Sequence, residues 1–186
     1  MHTDTDVETL LLGPVLPGRA CGECTACCTV LTVDTPAFKK PAGTPCVNLS
    51  AGGCRIHDVR PRICRTWFCA WRRVAKMPDD ARPDRSGLLV SVNFVQAPQN
   101  CFEAVSINVR ALPGSEAIAN GMAATVLDSL CDQLVPVWFS DGSRKMLLHP
   151  EDDVARLVLS GTAAPAHLQD EVNAWRARYA VFASGG

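Results

Sequence analysis

The most distinctive part of the sequence lies between positions 21 and 69. Residues 21–28 read CGECTACC, and residues 45–69 read PCVNLSAGGCRIHDVRPRICRTWFC. Eight of the chain's ten cysteines fall within it: Cys21, Cys24, Cys27, Cys28, Cys46, Cys54, Cys64 and Cys69. A thiol density this high and this local indicates a metal site, a disulfide framework or a redox centre.

The beginning of the chain bears on the choice between metal and disulfides. It carries Asp4, Asp6 and Glu8 instead of a basic segment, and Gly13 and Pro14 interrupt its apolar run, so it does not resemble a secretion signal. No run in the sequence approaches the ~18 apolar residues of a membrane helix, so no membrane partner is expected. We therefore predict a cytoplasmic, reducing location, where clustered cysteines bind metal more often than they form disulfides.

The spacing of the cysteines suits thiolate ligation of a metal. Zinc and iron–sulfur clusters both take thiolate ligands, and a C-x₂-C turn brings two sulfurs to one metal. Cys21 and Cys24 have this spacing, as do Cys24 and Cys27. The sequence predicts all eight cysteines as metal ligands, enough for two four-thiolate sites or for one site with spare thiols. By contrast, Cys101 and Cys131 are predicted to be core thiols.

Zinc is the predicted cofactor, and iron or an iron–sulfur cluster is the alternative. The C-x₂-C-x₂-C run is similar to the start of a bacterial ferredoxin motif, but Cys28 follows at once where C-x₃-C-P is expected. The first hypothesis is a metal-binding protein with a structural or accessory role. The second is an iron–sulfur protein that serves electron transfer or supports a redox enzyme, and the sequence leaves open whether the chain is itself an enzyme.

Charge is distributed unevenly along the chain. The net charge is −1 and the pI about 6.4, which gives no overall attraction to nucleic acid. Residues 55–85 nevertheless hold nine Lys/Arg against four Asp. Arg55, Arg60, Arg62 and Arg65 interleave with the cysteines and can neutralise thiolates; the alternatives are a solvated face or a nucleic-acid patch. The last is disfavoured because no nucleic-acid reading motif accompanies it.

The predicted fold class is α+β, with three segments. Residues 1–20 form a lead-in that packs on the body through its leucines. Residues 21–87 form a cysteine-rich, loop-dominated metal-binding module, because breakers such as Pro36, Pro41 and Gly43 leave little periodicity. Residues 88–186 form a small α+β body with a few antiparallel strands and three helices, in one compact unit with the module.

Two elements are predicted within the module. A short strand is predicted over 29–33, and a helix over 61–75, where Pro61 suits the first helical position. On an ideal helix Cys64 and Cys69 point about 140° apart. Both can serve one site only if the helix distorts near Cys69.

The body is predicted from its periodicity and its turns. Strands are expected over 88–95, 102–110, 135–139 and 145–148, the last two joined through the Asp-Gly turn at 141–142. Helices are expected over 115–133, 150–161 and 166–180.

Residues 20–70 also carry a family resemblance. CGECTACC, then PCVNL, then GCRIHDVRPRICRTW resembles the YkgJ-type cysteine-cluster family with its CxxCxxCC signature. His57 stands where members of that family usually have tyrosine. The resemblance implies a domain that chelates zinc or iron, and it leaves any reaction open. Whether the chain has a protein partner is unknown from the sequence.

Overall fold

The chain forms a mixed α+β structure in a computed structural model that describes residues 4–36, 38–131 and 134–183. Its helices are α1 Asp4–Leu12, α2 Ala26–Val30, α3 Arg62–Thr66, α4 Pro83–Ser86, α5 Cys101–Ala104, α6 Met122–Asp128, α7 Asp152–Ser160 and α8 Gln169–Ala183. Its strands are β1 Val33–Thr35, β2 Phe38–Lys40, β3 Leu49–Ser50, β4 Gly53–Cys54, β5 Leu88–Phe94, β6 Val105–Ala111, β7 Val137–Ser140 and β8 Lys145–His149. The predicted fold class is thus confirmed at the level of α+β, with helices that are more numerous and shorter than expected.

The body is built on a four-stranded sheet in the order β5-β6-β7-β8. Strands β5 and β6 pair antiparallel over seven residues, and β7 and β8 form the hairpin predicted from Asp141-Gly142. Strands β6 and β7 pair in parallel, which the sequence did not predict. A parallel neighbour needs a crossover, and the segment that contains α6 makes this connection.

Two clusters of buried side chains fill the interior. The larger one joins the sheet, through residues such as Val109 and Val137, to Ala26, Ala70 and Trp71 of the module. The smaller one surrounds Trp175 of α8, between α5, α7 and the β7–β8 hairpin. Residues 21–87 and the body therefore share one continuous apolar cluster.

Residues 21–87 contain short regular elements, as predicted. In their described part no helix or strand exceeds five residues, and the strands form two separate pairs, β1–β2 and β3–β4. Turns connect these elements, including short 3-10 turns at His57–Val59, Ala70–Arg72 and Asp79–Ala81. This segment is consequently held together by turn hydrogen bonds and side-chain anchors more than by extended ladders.

The predicted helix over 61–75 is wrong beyond Thr66. Trp67 is extended, with φ −85° and ψ 133°, and Cys69 is extended as well, with φ −66° and ψ 162°. The apolar side chains of this segment turn into the larger cluster from backbone that is extended or 3-10, not α-helical, so tertiary burial overrides the helical periodicity. The predicted strand over 29–33 is also wrong, since its first two residues belong to α2 and the regular strand β1 begins only at Val33.

The predicted helix over 115–133 is reduced to α6. Gly121 adopts φ +76° immediately before it, a left-handed conformation that an α-helix cannot contain in its interior. Residues 132 and 133 lie outside the described residues. The helices predicted over 150–161 and 166–180 correspond to α7 and α8, and α7 ends at Gly161, which is left-handed with φ +70°.

The lead-in forms a helix that packs on the module. Leu11 and Leu12 of α1 are buried as predicted, whereas Leu10 is 80% exposed. Glu8 forms a buried ion pair with Arg73 at 3.1 Å. Among the described residues, no helix combines the length and the apolar character needed to cross a bilayer.

Candidate metal centre

A cavity of about 380 Å³ lies between the cysteine module and the β5–β6 part of the sheet. Its lining includes all eight of the cysteines predicted as ligands: Cys21, Cys24, Cys27, Cys28, Cys46, Cys54, Cys64 and Cys69. Cys101 and Cys131, both within the described residues, do not line it. The cysteines that the sequence singled out are therefore the ones that share this cavity.

Turns and the short helix α2 place the first cysteines. The backbone N–H of Cys24 donates to the carbonyl of Cys21 at 3.0 Å, which closes the first C-x₂-C turn. Cys27 and Cys28 are consecutive on α2. The backbone N–H of Cys46 donates to the carbonyl of Cys28 at 2.9 Å, so the distant PC segment is tied directly to α2.

The remaining cysteines come from β4, α3 and the extended segment after α3. Cys54 ends β4 and pairs with Leu49 of β3. Cys64 lies on α3, and Cys69 precedes the 3-10 turn Ala70–Arg72. Because α3 ends at Thr66, the 140° separation of an ideal helix does not apply, and Cys64 and Cys69 both line the cavity. The helix is therefore distorted near Cys69, as a common cavity for these two thiols requires.

The thiols line one cavity without meeting at one point. None of the ten cysteines, all within the described residues, forms a disulfide. In the same part of the chain, no group of three or more His, Cys, Asp or Glu side chains is arranged to hold a metal ion. The donor chemistry fits zinc or an iron–sulfur cluster, but a completed coordination shell is not confirmed.

A hydrogen bond between the side chains of Cys27 and Cys28 shifts their pKa values in opposite directions. That bond, together with the positive charges of Lys40, Arg60 and His57, lowers the pKa of Cys28 to about 6. The same bond, followed by burial, raises the pKa of Cys27. Because its pKa is lowered, Cys28 deprotonates readily to the thiolate, which is the form that binds metal.

Burial raises the pKa of the other shifted thiols, while backbone donors oppose it. Burial raises the pKa of Cys69 to about 11, although the backbone N–H groups of Arg72 and Trp71 hydrogen-bond to its sulfur. Burial likewise raises the pKa of Cys24 and Cys64. The backbone N–H of Asn48 donates to the sulfur of Cys46 at 3.4 Å. Such N–H donors stabilise a thiolate once an ion compensates for its burial.

The cations beside the sulfurs differ from those predicted. Of the four predicted arginines only Arg60 lines the cavity, while Arg55, Arg62 and Arg65 are exposed. Arg60 lowers the pKa of Cys28 and opposes the raised pKa of Cys64, so it lies near both sulfurs. Of the four arginines predicted to neutralise thiolates, only Arg60 therefore lies where it can do so.

Two further cations were missed by the sequence argument. Lys40 is 4% exposed, its ammonium donates to the carbonyls of Thr29, Pro41 and Thr44, and its charge acts on Cys28. Arg72 donates from its guanidinium to the sulfur of Cys21 at 3.8 Å. Nothing in the local sequence distinguishes Lys40 from its exposed neighbour, because its role depends on where the chain folds back.

His57 lies at the rim of the cavity. Its side chain is 57% exposed, and its Nδ1 lies 3.4 Å from Oδ1 of Asp58. The position that departs from the YkgJ-type pattern thus faces the cavity from its edge. Comparison of the chain with models of protein families, with curated proteins and with solved structures found no match. The resemblance stays a prediction carried by the residues quoted for it.

Proposed function

We propose that this protein binds metal ions, zinc in the first instance, through the eight cysteines of its module. The proposal rests on which cysteines line the cavity. The eight cysteines that are spread over 49 positions line it, and Cys101 and Cys131 of the body do not. Free thiols on one cavity wall are the donor set that zinc and iron–sulfur clusters take. The role is structural or accessory, in the reducing cytoplasm, where such thiols stay unpaired.

We divide the eight thiols into two sets of four by their charged neighbours, with the hydrogen-bonded pair Cys27–Cys28 split between the sets. Beyond the effect of burial, the charges of Cys21 and Cys24 raise the pKa of Cys69. The charges of Cys21 and Cys24 also raise the pKa of Cys27. Their contributions follow the larger ones from its hydrogen bond with Cys28, its burial and the charge of Cys28. We assign these four to a first set: Cys21, Cys24, Cys27 and Cys69.

The second set lies on the other side of the Cys27–Cys28 pair. Beyond burial, the charges of Cys28, Cys46 and Cys54 raise the pKa of Cys64. We assign these four to a second set: Cys28, Cys46, Cys54 and Cys64. Each set contains one cysteine of the adjacent pair on α2, so the two ions would be neighbours.

Charge compensation is available for both sets. A four-thiolate zinc site carries a formal charge of −2, which is costly to enclose without nearby positive charge. Arg72 donates to a sulfur of the first set, and Lys40 and Arg60 act on sulfurs of the second. The cations are thus distributed between the two sets.

Metal binding would have to draw the thiols of each set together. The described residues contain no group of three ligands already arranged around one point. Short turns with few ladder hydrogen bonds connect the cysteines, so closing them around an ion requires little disruption of regular structure. Binding and folding of the module would then be coupled, as in small structural zinc domains.

An iron–sulfur cluster is the second candidate, and the apolar part of the cavity lining favours it. Trp67 and Phe68 supply that part. A cluster sheltered by apolar side chains could serve electron transfer or a redox enzyme. Protein purified without air would then be brown and would contain acid-labile sulfide.

Metal analysis of cysteine variants tests the proposal. Wild-type protein purified anaerobically is expected to hold two zinc ions per chain, Cys24→Ser to lose the ion of the first set, and Cys64→Ser to lose that of the second. The matched controls Cys101→Ala and Cys131→Ala are expected to keep both. Equal metal loss in the controls, or metal-free wild-type protein, would overturn the assignment.

A further inference from the structure

The wall of the cavity opposite the cysteines is a polar face of the sheet. Because side chains alternate along a strand, Leu89, Ser91 and Asn93 of β5 share one face with their registered neighbours Asn108 and Arg110 of β6. All five line the cavity, and together they form a surface that we name the sheet wall. The pairs Leu89–Arg110 and Ser91–Asn108 lie directly opposite each other in the ladder.

The polarity of the sheet wall is local. On the opposite face of the same two strands the side chains are buried and apolar: Leu88, Val90, Val92, Ile107 and Val109. Of these five, Val92 alone also lines the cavity. Placing hydrogen-bonding side chains against other protein would be costly unless they were paired. Here they face a cavity instead, which gives them a ligand or solvent as a partner.

Two of these side chains are held in orientations that leave donors for a ligand. The hydroxyl of Ser140 donates to Oδ1 of Asn108 at 3.2 Å, so the amide nitrogen is the free end of that side chain. One guanidinium nitrogen of Arg110 donates to the carbonyl of Val30 at 3.1 Å. Since a guanidinium carries five N–H donors, this bond fixes Arg110 beside α2 and leaves donors of its fork for a ligand.

Apart from the thiolate of Cys28, the charged side chains of the lining are cations. They are Lys40, Arg60 and Arg110, and none of the described residues that line the cavity is Asp or Glu. Lys40 directs its ammonium to three backbone carbonyls, and Arg60 acts on the sulfurs of Cys28 and Cys64. Arg110 remains as the cation that faces the cavity from the sheet, and the buried Nε of Arg60 has no hydrogen-bond partner.

The rest of the lining is suited to a carbon framework. Apolar side chains flank the sheet wall: Leu31, Phe38, Ile56, Trp67 and Phe68. A mostly apolar cavity of about 380 Å³ with a few convergent polar groups has the size and character of a small-molecule site, which spans roughly 300–1,000 Å³.

We propose that this cavity binds a small organic carboxylate, held by the guanidinium fork of Arg110 and by Asn108 and Ser91, with its apolar part against Trp67 and Phe68. A carboxylate matches the planar fork of one arginine through two parallel hydrogen bonds. A phosphoryl group would call for more charge than this wall supplies. The inference goes beyond metal binding, and it depends on the proposed function only for the neighbouring ion.

Calorimetric titration with benzoate tests the inference, with benzamide as a neutral analogue of the same shape and inorganic phosphate as a second anion. Wild-type protein, purified anaerobically with its metal, is expected to bind benzoate about tenfold or more tightly than benzamide and to bind phosphate weakly. Arg110→Met is expected to weaken benzoate binding by about tenfold or more. Arg144→Met, which alters an exposed arginine of the β7–β8 hairpin, is the matched control and should change nothing.

Zinc and iron are measured in every preparation, so that failure of the two proposals can be told apart. Arg110→Met with unchanged metal and unchanged benzoate affinity overturns the carboxylate site alone. Metal-free wild-type protein that binds benzoate through Arg110 overturns the metal centre alone. If Arg110→Met does not fold, Asn108→Leu replaces it and should also weaken benzoate; equal binding of benzoate and benzamide, or phosphate bound as tightly as benzoate, contradicts the inference.

Discussion

The sheet of the body and the cysteine module are stabilised in different ways. The β5–β6 ladder of the body joins seven consecutive residue pairs, whereas the ladders β1–β2 and β3–β4 of the module join three and two. The body also buries large apolar side chains completely, such as Trp175 and Val137. The module instead surrounds a cavity lined by eight thiols.

Buried or half-buried cations replace ladders in the module. Arg19 donates to the carbonyls of Trp71, Val74 and Met77, and Lys40 donates to three carbonyls around β2. Each of these two side chains holds several loop carbonyls from a single position. A strand would instead hold a neighbouring segment by hydrogen bonds along its whole length. The comparison indicates that the body has the more extensive regular structure. The module depends on a few anchors, on the apolar cluster that it shares with the body and, under our proposal, on metal.

Metal removal is expected to have the largest effect and to separate the behaviour of the two regions most clearly. Structural zinc contributes about 10–16 kcal/mol of apparent binding free energy in small domains, so chelation should unfold or loosen residues 21–75. Hydrogen exchange followed by mass spectrometry should show lost protection there and retained protection in β5 and β6. Equal loss in both regions, or no loss, would contradict a metal-dependent module.

Trp175→Ala tests the reverse case, in which the body is destabilised and the metal centre is left intact. The side chain is fully buried and packs edge-to-face on Phe102 at 5.7 Å, so its removal should cost about 3–5 kcal/mol of unfolding free energy, measured by denaturant titration. Metal content should stay at the wild-type value under native conditions. Leu159→Ala, at a side chain that is 53% exposed, should change stability by less than about 0.5 kcal/mol. Loss of metal in Trp175→Ala would show that the two regions do not differ in this way.

Glu8→Gln tests the attachment of α1 to the module. The Glu8–Arg73 pair has side chains only 10% and 3% exposed, so removing the carboxylate leaves a buried guanidinium uncompensated, at a cost of about 3 kcal/mol. The control is Asp34→Asn, which removes an ion pair with Lys39 whose side chains are 70% and 74% exposed. That change should cost less than about 1 kcal/mol. Equal effects of the two substitutions in denaturant titrations would argue against a buried pair.

The smallest effect concerns the reactivity of single thiols in metal-free, reduced protein. Cys28, with its pKa lowered to about 6, should be mostly thiolate at pH 7 and should be alkylated before Cys69, whose pKa is raised to about 11. A lowered pKa means that the thiolate is stabilised by the fold, and this stabilisation is lost as the pH falls through about 6. Peptide mapping after iodoacetamide treatment should show Cys28 modification slowing over the same interval. Faster modification of Cys69 would refute the assignment.

Most of the body could be predicted from sequence because its signals are local. The predicted strand over 102–110 is wrong at its start, since residues 101–104 form α5 and β6 begins only at Val105. The alternation of Val, Ile and polar residues in β5 and β6 and the Asp141-Gly142 turn fix strands and a hairpin without reference to the rest of the chain. The helical pattern around Trp67, by contrast, gave the wrong element, because burial of its apolar side chains against the body is a tertiary effect. The parallel pairing of β6 with β7 escaped prediction for the same reason.

The candidate site was predictable in its donors but not in its surroundings. The spacing of the cysteines identified the eight thiols that share the cavity. The roles of Lys40 and Arg72 depend on where distant segments meet, and no local pattern marks them. Strand alternation could have shown that Asn108 and Arg110 share a face, but not that this face lies opposite the cysteines.

Counting zinc, iron and acid-labile sulfide per chain, in protein purified without air, distinguishes a metal-loaded module from an empty one. Two zinc ions per chain without sulfide are expected, or iron accompanied by sulfide if the protein holds a cluster, and Cys24→Ser and Cys64→Ser should contain less metal. Wild-type protein without stoichiometric metal, or with its eight cysteines joined as disulfides, would contradict it.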